Sequence, residues 1–328
     1  MRSRAGFIAD VYGLGGGAWE MAPAARGALG QIWRLSGESG VWAVKELLFG
    51  CDEEQVAREA GLRNAAEELG ISAPRFLADR DGAYVSRLPE PMGGAYVKVY
   101  GWVDGSEADP RDPELLTWCG RTLALLHRAG EGTAETPNGW YERCPGAEEW
   151  ARVCEGVRRA GVPWAAALER FAATEAEELA RHVTPAGGGD TVISHLDMRP
   201  QNVLVGPSGP SLLDWDNAGP VSAARELARA VHVWAGGNDF RADDARRLVR
   251  GYLDAGGPGV VKGMESFSML FATDLNYLRV QAECAIDPEV TPQQREFANG
   301  QVVELLGKGR LPDPVAVSRL VETLALEW

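Results

Sequence analysis

Residues 191 to 216 place more polar side chains in a set order than a bare helix or strand pattern requires. A short apolar run, Thr191-Val-Ile193, leads into His195-Leu-Asp-Met-Arg-Pro-Gln-Asn202. Val203-Leu-Val205 and Ser211-Leu-Leu213 then flank a Gly/Pro turn, and the segment ends in Asp214-Trp-Asp216. Two apolar runs about such a turn predict a hairpin that returns Asn202 and Asp214 to one end. Phosphoryl transfer needs one carboxylate to orient an acceptor hydroxyl and hard oxygen ligands that hold magnesium against nucleotide phosphates. Asp197 suits the first task, and Asn202 and Asp214 suit the second. His195 is expected to organise the loop by hydrogen bonding, because Asp197 already supplies the acid. For Asp216 two roles stand open, metal contact or support of the loop.

Upstream, the first hundred residues read as short strands around one helix. Gly30 to Leu48 holds two β-favouring runs about a Ser/Gly/Glu turn, with Lys45 on the second. Asp52 predicts the cap of a helix running to about Leu69, with Gly70 as its stop. A further hairpin is expected around Asp79–Gly82, followed by a strand over 95–100. From Gly101 a Pro/Asp-rich stretch marks a linker, after which Leu115, Cys119, Leu123 and Leu126 recur at helical spacing. Further helical patterns cover about 147–160 and 164–182.

The segment from His195 to Asp216 resembles the aminoglycoside phosphotransferase family, which shares the protein-kinase-like fold. It matches the pattern H-x-D-x-x-x-x-N followed by an apolar-D-x-D run, and Val41-Trp-Ala-Val-Lys45 is similar to the V-A-I-K strand of that fold. The resemblance implies a bilobal α+β fold. Residues 1–100 would form a nucleotide-binding N-lobe, 101–105 a hinge, and 106–328 a mainly helical C-lobe with catalytic loop, metal site and acceptor pocket. It also implies that Asp197 is the catalytic aspartate, that Arg199 neutralises charge near the transferred phosphate, and that Asn202 and Asp214 bind Mg2+. Lys45 would hold the phosphates of ATP and pair with a helix glutamate, Glu59, with Glu54 in reserve. The phosphate-covering loop falls at 25–31, where Gly27 and Gly30 stand in place of the richer G-x-G-x-x-G. Gly101 and Val103 would meet adenine through their main chain.

After Asp214 the chain reaches a helical pattern at Ala223 without a long activation segment, which favours a small-molecule acceptor. An aminoglycoside or other antibiotic is one expectation; a metabolite such as an amino alcohol, sugar or amino acid is the alternative. A nucleotide-binding module without catalysis is a third reading, opposed by the joint presence of Lys45, Asp197, Asn202 and Asp214. Acids outnumber bases by 47 to 33, giving a net charge of −14, which opposes nucleic-acid binding and suits a cationic acceptor. Among Glu148, Glu149, Glu155, Asp274 and Glu283, the acid beside apolar helical positions is Asp274, the candidate pocket residue. Five cysteines without zinc spacing, and no apolar segment of membrane length, lead to the expectation of reduced thiols in a cytoplasmic protein. Gly13-Leu-Gly-Gly-Gly-Ala18 formally matches the dinucleotide fingerprint G-x-G-x-x-A. Pro23 and the absence of a following helix and acid-ended strand set that match aside.

Overall fold

Antiparallel pairing of three consecutive strands along residues 19–47 builds a meander, and a helix lies against it. In the computed structural model, which describes residues 3–27, 30–325 and 327, the chain divides into two compact units. The first holds residues up to Ala108 together with Gln201–Ala218; the second holds Asp109–Pro200 and Gly219 onward.

The first unit begins with α1 (Arg4–Val11), capped by Ser3, whose Oγ accepts from the Gly6 amide at 3.1 Å. One helix was expected in this region and α1 is a second: Ala5, Ile8 and Ala9 share a face at i, i+3, i+4 and bury it with Leu35, Val44, Val97 and Val99. Next come β1 (Trp19–Arg26), β2 (Gly30–Gly37), β3 (Gly40–Leu47) and α2 (Glu53–Glu68). Asp52 caps α2 by accepting from the amides of Glu54 and Gln55, and Gly70 ends it in the left-handed conformation that a Cβ disfavours.

Strands β4 (Phe76–Leu77), β5 (Ser86–Arg87) and β6 (Tyr96–Gly101) complete the sheet, in the order β1-β2-β3-β6-β4 with β5 also on β6. The hairpin expected around Asp79–Gly82 is not formed, since β4 and β5 both pair with β6 instead of with each other. Asp79 Oδ1 accepts from the amides of Asp81 and Ala83 and so makes the turn without strand pairing. The register of β3 on β6 sets Lys45 opposite Lys98. A short β7 (Ser106–Glu107) follows.

Helices α3 (Pro113–Ala129), α4 (Gly139–Glu142), α5 (Ala147–Ala160), α6 (Ala165–Thr174) and α7 (Ala176–Ala180) open the second unit, then β8 (Thr191–Ser194). The single pattern read over 164–182 is thus divided at Glu175. The hairpin of β9 (Val203–Gly206) and β10 (Gly209–Leu212) belongs to the first unit, where β9 also pairs with β7. Back in the second unit, β11 (Gly219–Ser222) pairs with β8. Helices α8 (Ala223–Ala235), α9 (Ala242–Asp254), α10 (Ser268–Ile286), α11 (Pro292–Leu305) and α12 (Pro314–Leu324) finish the chain. None of the described helices is long and apolar enough to cross a membrane, and all five cysteines are free.

The core of the second unit depends on a close crossing of α3 and α9. A Cβ on Gly120 would stand 2.1 Å from the Leu248 carbonyl oxygen, and one on Gly251 would stand 2.7 Å from that of Thr117. Both obstacles are backbone, so only separation of the helices relieves them. Gly120→Ala is therefore expected to lower the urea midpoint, although Ala in place of Gly ordinarily favours a helix by about 1 kcal/mol. Gly300→Ala on α11, where a Cβ meets open space, is the control and should be neutral or stabilising.

Candidate functional site

In the first unit, β3 and β6 each present a lysine to the same group of carboxylates. Lys45 Nζ lies 2.5 Å from Asp214 Oδ1 and also pairs with Asp216 Oδ2. Lys98 Nζ lies 2.6 Å from Glu59 Oε2 and also pairs with Asp216 Oδ1, while the Tyr100 hydroxyl donates to Glu59 Oε1. Burial acts to lower the Lys45 pKa, but Asp214 and Asp216 outweigh it and hold the group charged. Burial likewise acts to raise Asp216, and the two lysines outweigh it, leaving this carboxyl well below its usual range. Glu59 is shifted the other way, upward, chiefly by burial and then by the nearby Asp216 charge, with Lys98 opposing.

The expected pairing of Lys45 with Glu59 is corrected by this geometry. Glu59 reaches Lys98, on the strand beyond Lys45, while Lys45 is taken by Asp214, 169 residues further on, and by Asp216. Asp216, for which two roles stood open, is engaged at both carboxylate oxygens by ammonium groups. Gln55 Nε2 holds its backbone as well, donating to the carbonyls of Asp216 and Ala218 at 2.7 and 2.8 Å. Asp214 is more open, with a side chain 40% exposed, and adopts a left-handed backbone at φ 58°. Leu213 N donates to Asn202 O at 2.8 Å, so the β9–β10 hairpin sets Asn202 beside the strand leading to Asp214.

Of the loop expected at 25–31, Gly27 N donates to Gly30 O at 2.9 Å, and residues 28 and 29 lie outside the described residues. Gly30 has a steric role: a Cβ there would stand 3.0 Å from Lys45 Cε. Gly101 N is already bonded to Arg75 O at 2.8 Å, so its amide is not open to a base in this arrangement. Val103 follows between β6 and β7, half-buried. Glu54 stands exposed at the start of α2.

In the second unit, α8 grips the loop that carries Asp197. Glu226 Oε1 accepts from Leu196 N at 2.6 Å, Arg229 Nη1 donates to Leu196 O at 3.0 Å, and Arg229 Nη2 meets Asp197 Oδ1 at 3.0 Å. Trp234 Nε1 donates to Met198 O at 3.1 Å. Leu196 lies between the first two grips at φ 65°, a left-handed backbone uncommon for a leucine. Behind Glu226 stands His127, with Nε2 2.8 Å from Glu226 Oε2 and Nδ1 2.7 Å from the Tyr252 hydroxyl. His195 Nδ1 accepts from Asp197 N at 3.2 Å, a bond within the loop itself.

Burial acts to raise the Asp197 pKa, but the guanidinium groups of Arg229 and Arg199 prevail and lower it, so the carboxylate stays ionised. Asp274 on α10 is pushed up to about 6, mainly by burial, with Arg229 and Arg199 opposing and Asp197 adding to the rise. Arg199 is exposed, and its charge also acts on Tyr277, one turn from Asp274. The other acids weighed as pocket residues lie elsewhere. Glu148 is exposed, Glu149 caps α5 through the Gly146 amide, Glu155 pairs with exposed Arg158, and Glu283 pairs with half-buried Arg279.

The residues not anticipated from sequence are Lys98, Tyr100, Glu226, Arg229 and His127. Lys98 had a signal, as a lysine inside the otherwise apolar Tyr96-Val-Lys-Val-Tyr100 strand. Glu226 and Arg229 had another, an i,i+3 charge pair within an apolar helix.

Residues 20–265 match the phosphotransferase enzyme family. No curated protein sequence is matched. Among solved structures, spectinomycin phosphotransferase in complex with ADP and spectinomycin is similar with TM-score 0.64 at 14% identity, covering 97% of each chain. Amicoumacin kinase with AMP-PNP, Ca2+ and Ami gives TM-score 0.56 at 14% identity over 90% of this chain and 91% of that one. The microcompartment-associated aminopropanol kinase gives 0.55 at 15% identity over 94% and 93%. These likenesses show a shared fold, an α+β kinase-like one.

The Arg229–Asp197 pair has a consequence for stability. Arg229→Met removes a guanidinium bonded to Asp197 in a largely buried place and is expected to cost about 3–5 kcal/mol in urea unfolding at pH 7. Because the folded pKa of Asp197 is depressed, its contribution is present above the ordinary carboxylate pKa and is lost as pH falls through the lower folded value. The gap between wild type and variant should accordingly narrow at acid pH.

Proposed function

Because the chain belongs to the phosphotransferase enzyme family, we propose that it transfers the γ-phosphoryl group of ATP, with Mg2+, to a hydroxyl of a small cationic molecule. The observation that carries this reading is the 2.5 Å contact of Lys45 Nζ with Asp214 Oδ1. A buried ammonium and a half-open carboxylate that satisfy each other are a pair ready to exchange partners. Lys45 would hold the nucleotide phosphates, and Asp214 together with Asn202 would hold the metal.

The donor set fits magnesium. Asn202 and Asp214 offer few, hard oxygen atoms, and among the described residues no cluster of three or more His, Cys, Asp or Glu stands ready for a metal. That scarcity suits an ion that keeps waters and phosphate ligands instead of filling a protein cage. When bound, Mg2+ would supply charge neutralisation to the nucleotide phosphates. Residues up to Ala108 with the β9–β10 hairpin serve the nucleotide. Val103 and the Gly101 carbonyl receive the base, and Gly27 and Gly30 border the phosphates, Gly30 by leaving room for Lys45.

On the acceptor side, Asp197 would orient the hydroxyl and take its proton as the new oxygen–phosphorus bond forms and the bond from the γ-phosphorus to the bridging oxygen breaks to release ADP, while Arg229 keeps the carboxylate in one orientation. Arg199 offsets the charge that develops on the moving phosphoryl group. Asp274 receives an acceptor amine: a carboxyl pushed up by burial regains its charge when a cation comes beside it. An aminated antibiotic fits this arrangement, and so does an amino alcohol.

ATP consumption should therefore be screened with spectinomycin, other aminoglycosides, aminopropanol and hydroxylated compounds without an amine. The reading expects turnover with at least one amine; turnover of amino alcohols alone rejects the antibiotic acceptor, and nucleotide binding without any turnover favours a non-catalytic module. With the acceptor found, Asp197→Asn should lower kcat by about 10²–10⁴ and leave the KM for ATP nearly unchanged. Asp274 is ionised only above its raised pKa, so the acceptor KM should fall as pH rises through about 6. Asp274→Asn should flatten that profile.

A further inference from the structure

We propose that Lys98 is a positioning residue for the nucleotide site: by sharing Asp216 it keeps that carboxylate from capturing Lys45. The inference rests on Lys45 being the phosphate ligand. Lys45 and Lys98 stand opposite each other in the β3–β6 register and are 7% and 3% exposed. Asp216 divides its two oxygens between them, Oδ2 to Lys45 and Oδ1 to Lys98.

Lys98 is held in turn. Its Nζ lies 2.6 Å from Glu59 Oε2, and the other Glu59 oxygen accepts from Tyr100. Glu59 is 1% exposed on α2, and Gln55, one turn earlier on that helix, donates to the Asp216 carbonyl. The helix therefore fixes both the side chain of Lys98 and the backbone of Asp216. In kinase-like folds the strand lysine is expected to face the helix glutamate directly; here that glutamate is given to Lys98.

The consequence concerns what happens when Lys45 leaves for a phosphate. With Lys98 present, Asp216 keeps one ammonium partner throughout, and departure of Lys45 does not strand a buried carboxylate. Without Lys98, Asp216 would have Lys45 as its one ammonium partner and would compete with the phosphate for it. Lys98 thus raises nucleotide affinity without touching the nucleotide.

Calorimetric titration of the full chain with ADP tests this, with and without Mg2+. Lys98→Met should weaken ADP binding about tenfold or more, by a similar factor in both conditions because the effect passes through Lys45 and not through the metal. Lys98→Arg, which keeps the cation, should bind within about threefold of wild type. In an Asp216→Asn background the same Lys98→Met change should cost less than about threefold, since the competing carboxylate is gone. Wild-type affinity in Lys98→Met, or an undiminished loss in the Asp216→Asn background, overturns the proposal. Should Lys98→Met fail to fold, Asp216→Asn alone decides: metal-free ADP affinity equal to or above wild type supports competition for Lys45, and a large loss rejects it. Failure of the wild type to bind ADP would reject the nucleotide reading itself, and the role of Lys98 with it.

Discussion

Two ammonium groups buried on neighbouring strands repel each other, and the first unit can hold them only because three carboxylates are folded in among them. Lys45 and Lys98 come from β3 and β6, Glu59 comes from α2, and Asp214 and Asp216 come from the segment after β10. Sheet, helix and hairpin are therefore tied by charge as well as by apolar contact. Burying so many ions is costly unless each is paired and hydrogen-bonded, and removing one leaves its partners stranded. The most exposed member is Asp214, which makes it the member freest to change partner.

The second unit meets a different constraint, the left-handed Leu196 beside Asp197. A leucine in that conformation persists only where its surroundings over-determine it. Glu226 takes its amide and Arg229 its carbonyl, both from α8, and Arg229 continues to the Asp197 carboxylate. His127 and Tyr252 keep Glu226 bonded from behind. The same helix thus fixes the backbone of the loop and supplies, in Arg229, the first of the two guanidinium charges that lower the pKa of its acid. Asp214 is the other described non-glycine residue with positive φ, so both deviations fall within the segment whose polar order stands out in the sequence.

Much of the local structure was legible from the residues themselves. Asp52 and Gly70 bound α2 as capping chemistry requires, and the runs on either side of Gly206–Gly209 form the β9–β10 hairpin. The misreadings share a cause. Ala5, Ile8 and Ala9 form too short a face to declare α1 beside a glycine-rich stretch, and β4 and β5 have two residues each, too few to show an alternation. What such strands pair with depends on β6, which lies further along the chain.

For the candidate site, the amino-acid order alone singled out the side chains proposed to carry chemistry, a loop acid, an amide and an acid at a hairpin end, and a strand lysine, in a chain of the phosphotransferase enzyme family. Strand periodicity says which face a lysine shares, yet it is silent on which distant acid will meet it. Tertiary structure decided that Lys45 goes to Asp214 and Asp216, that Glu59 goes to Lys98, and that Arg229 answers Asp197. The physical reason is that an ion pair is set by the ångström-scale distance between elements far apart in the chain, fixed by strand register and helix packing together, whereas residue type and spacing record only local geometry.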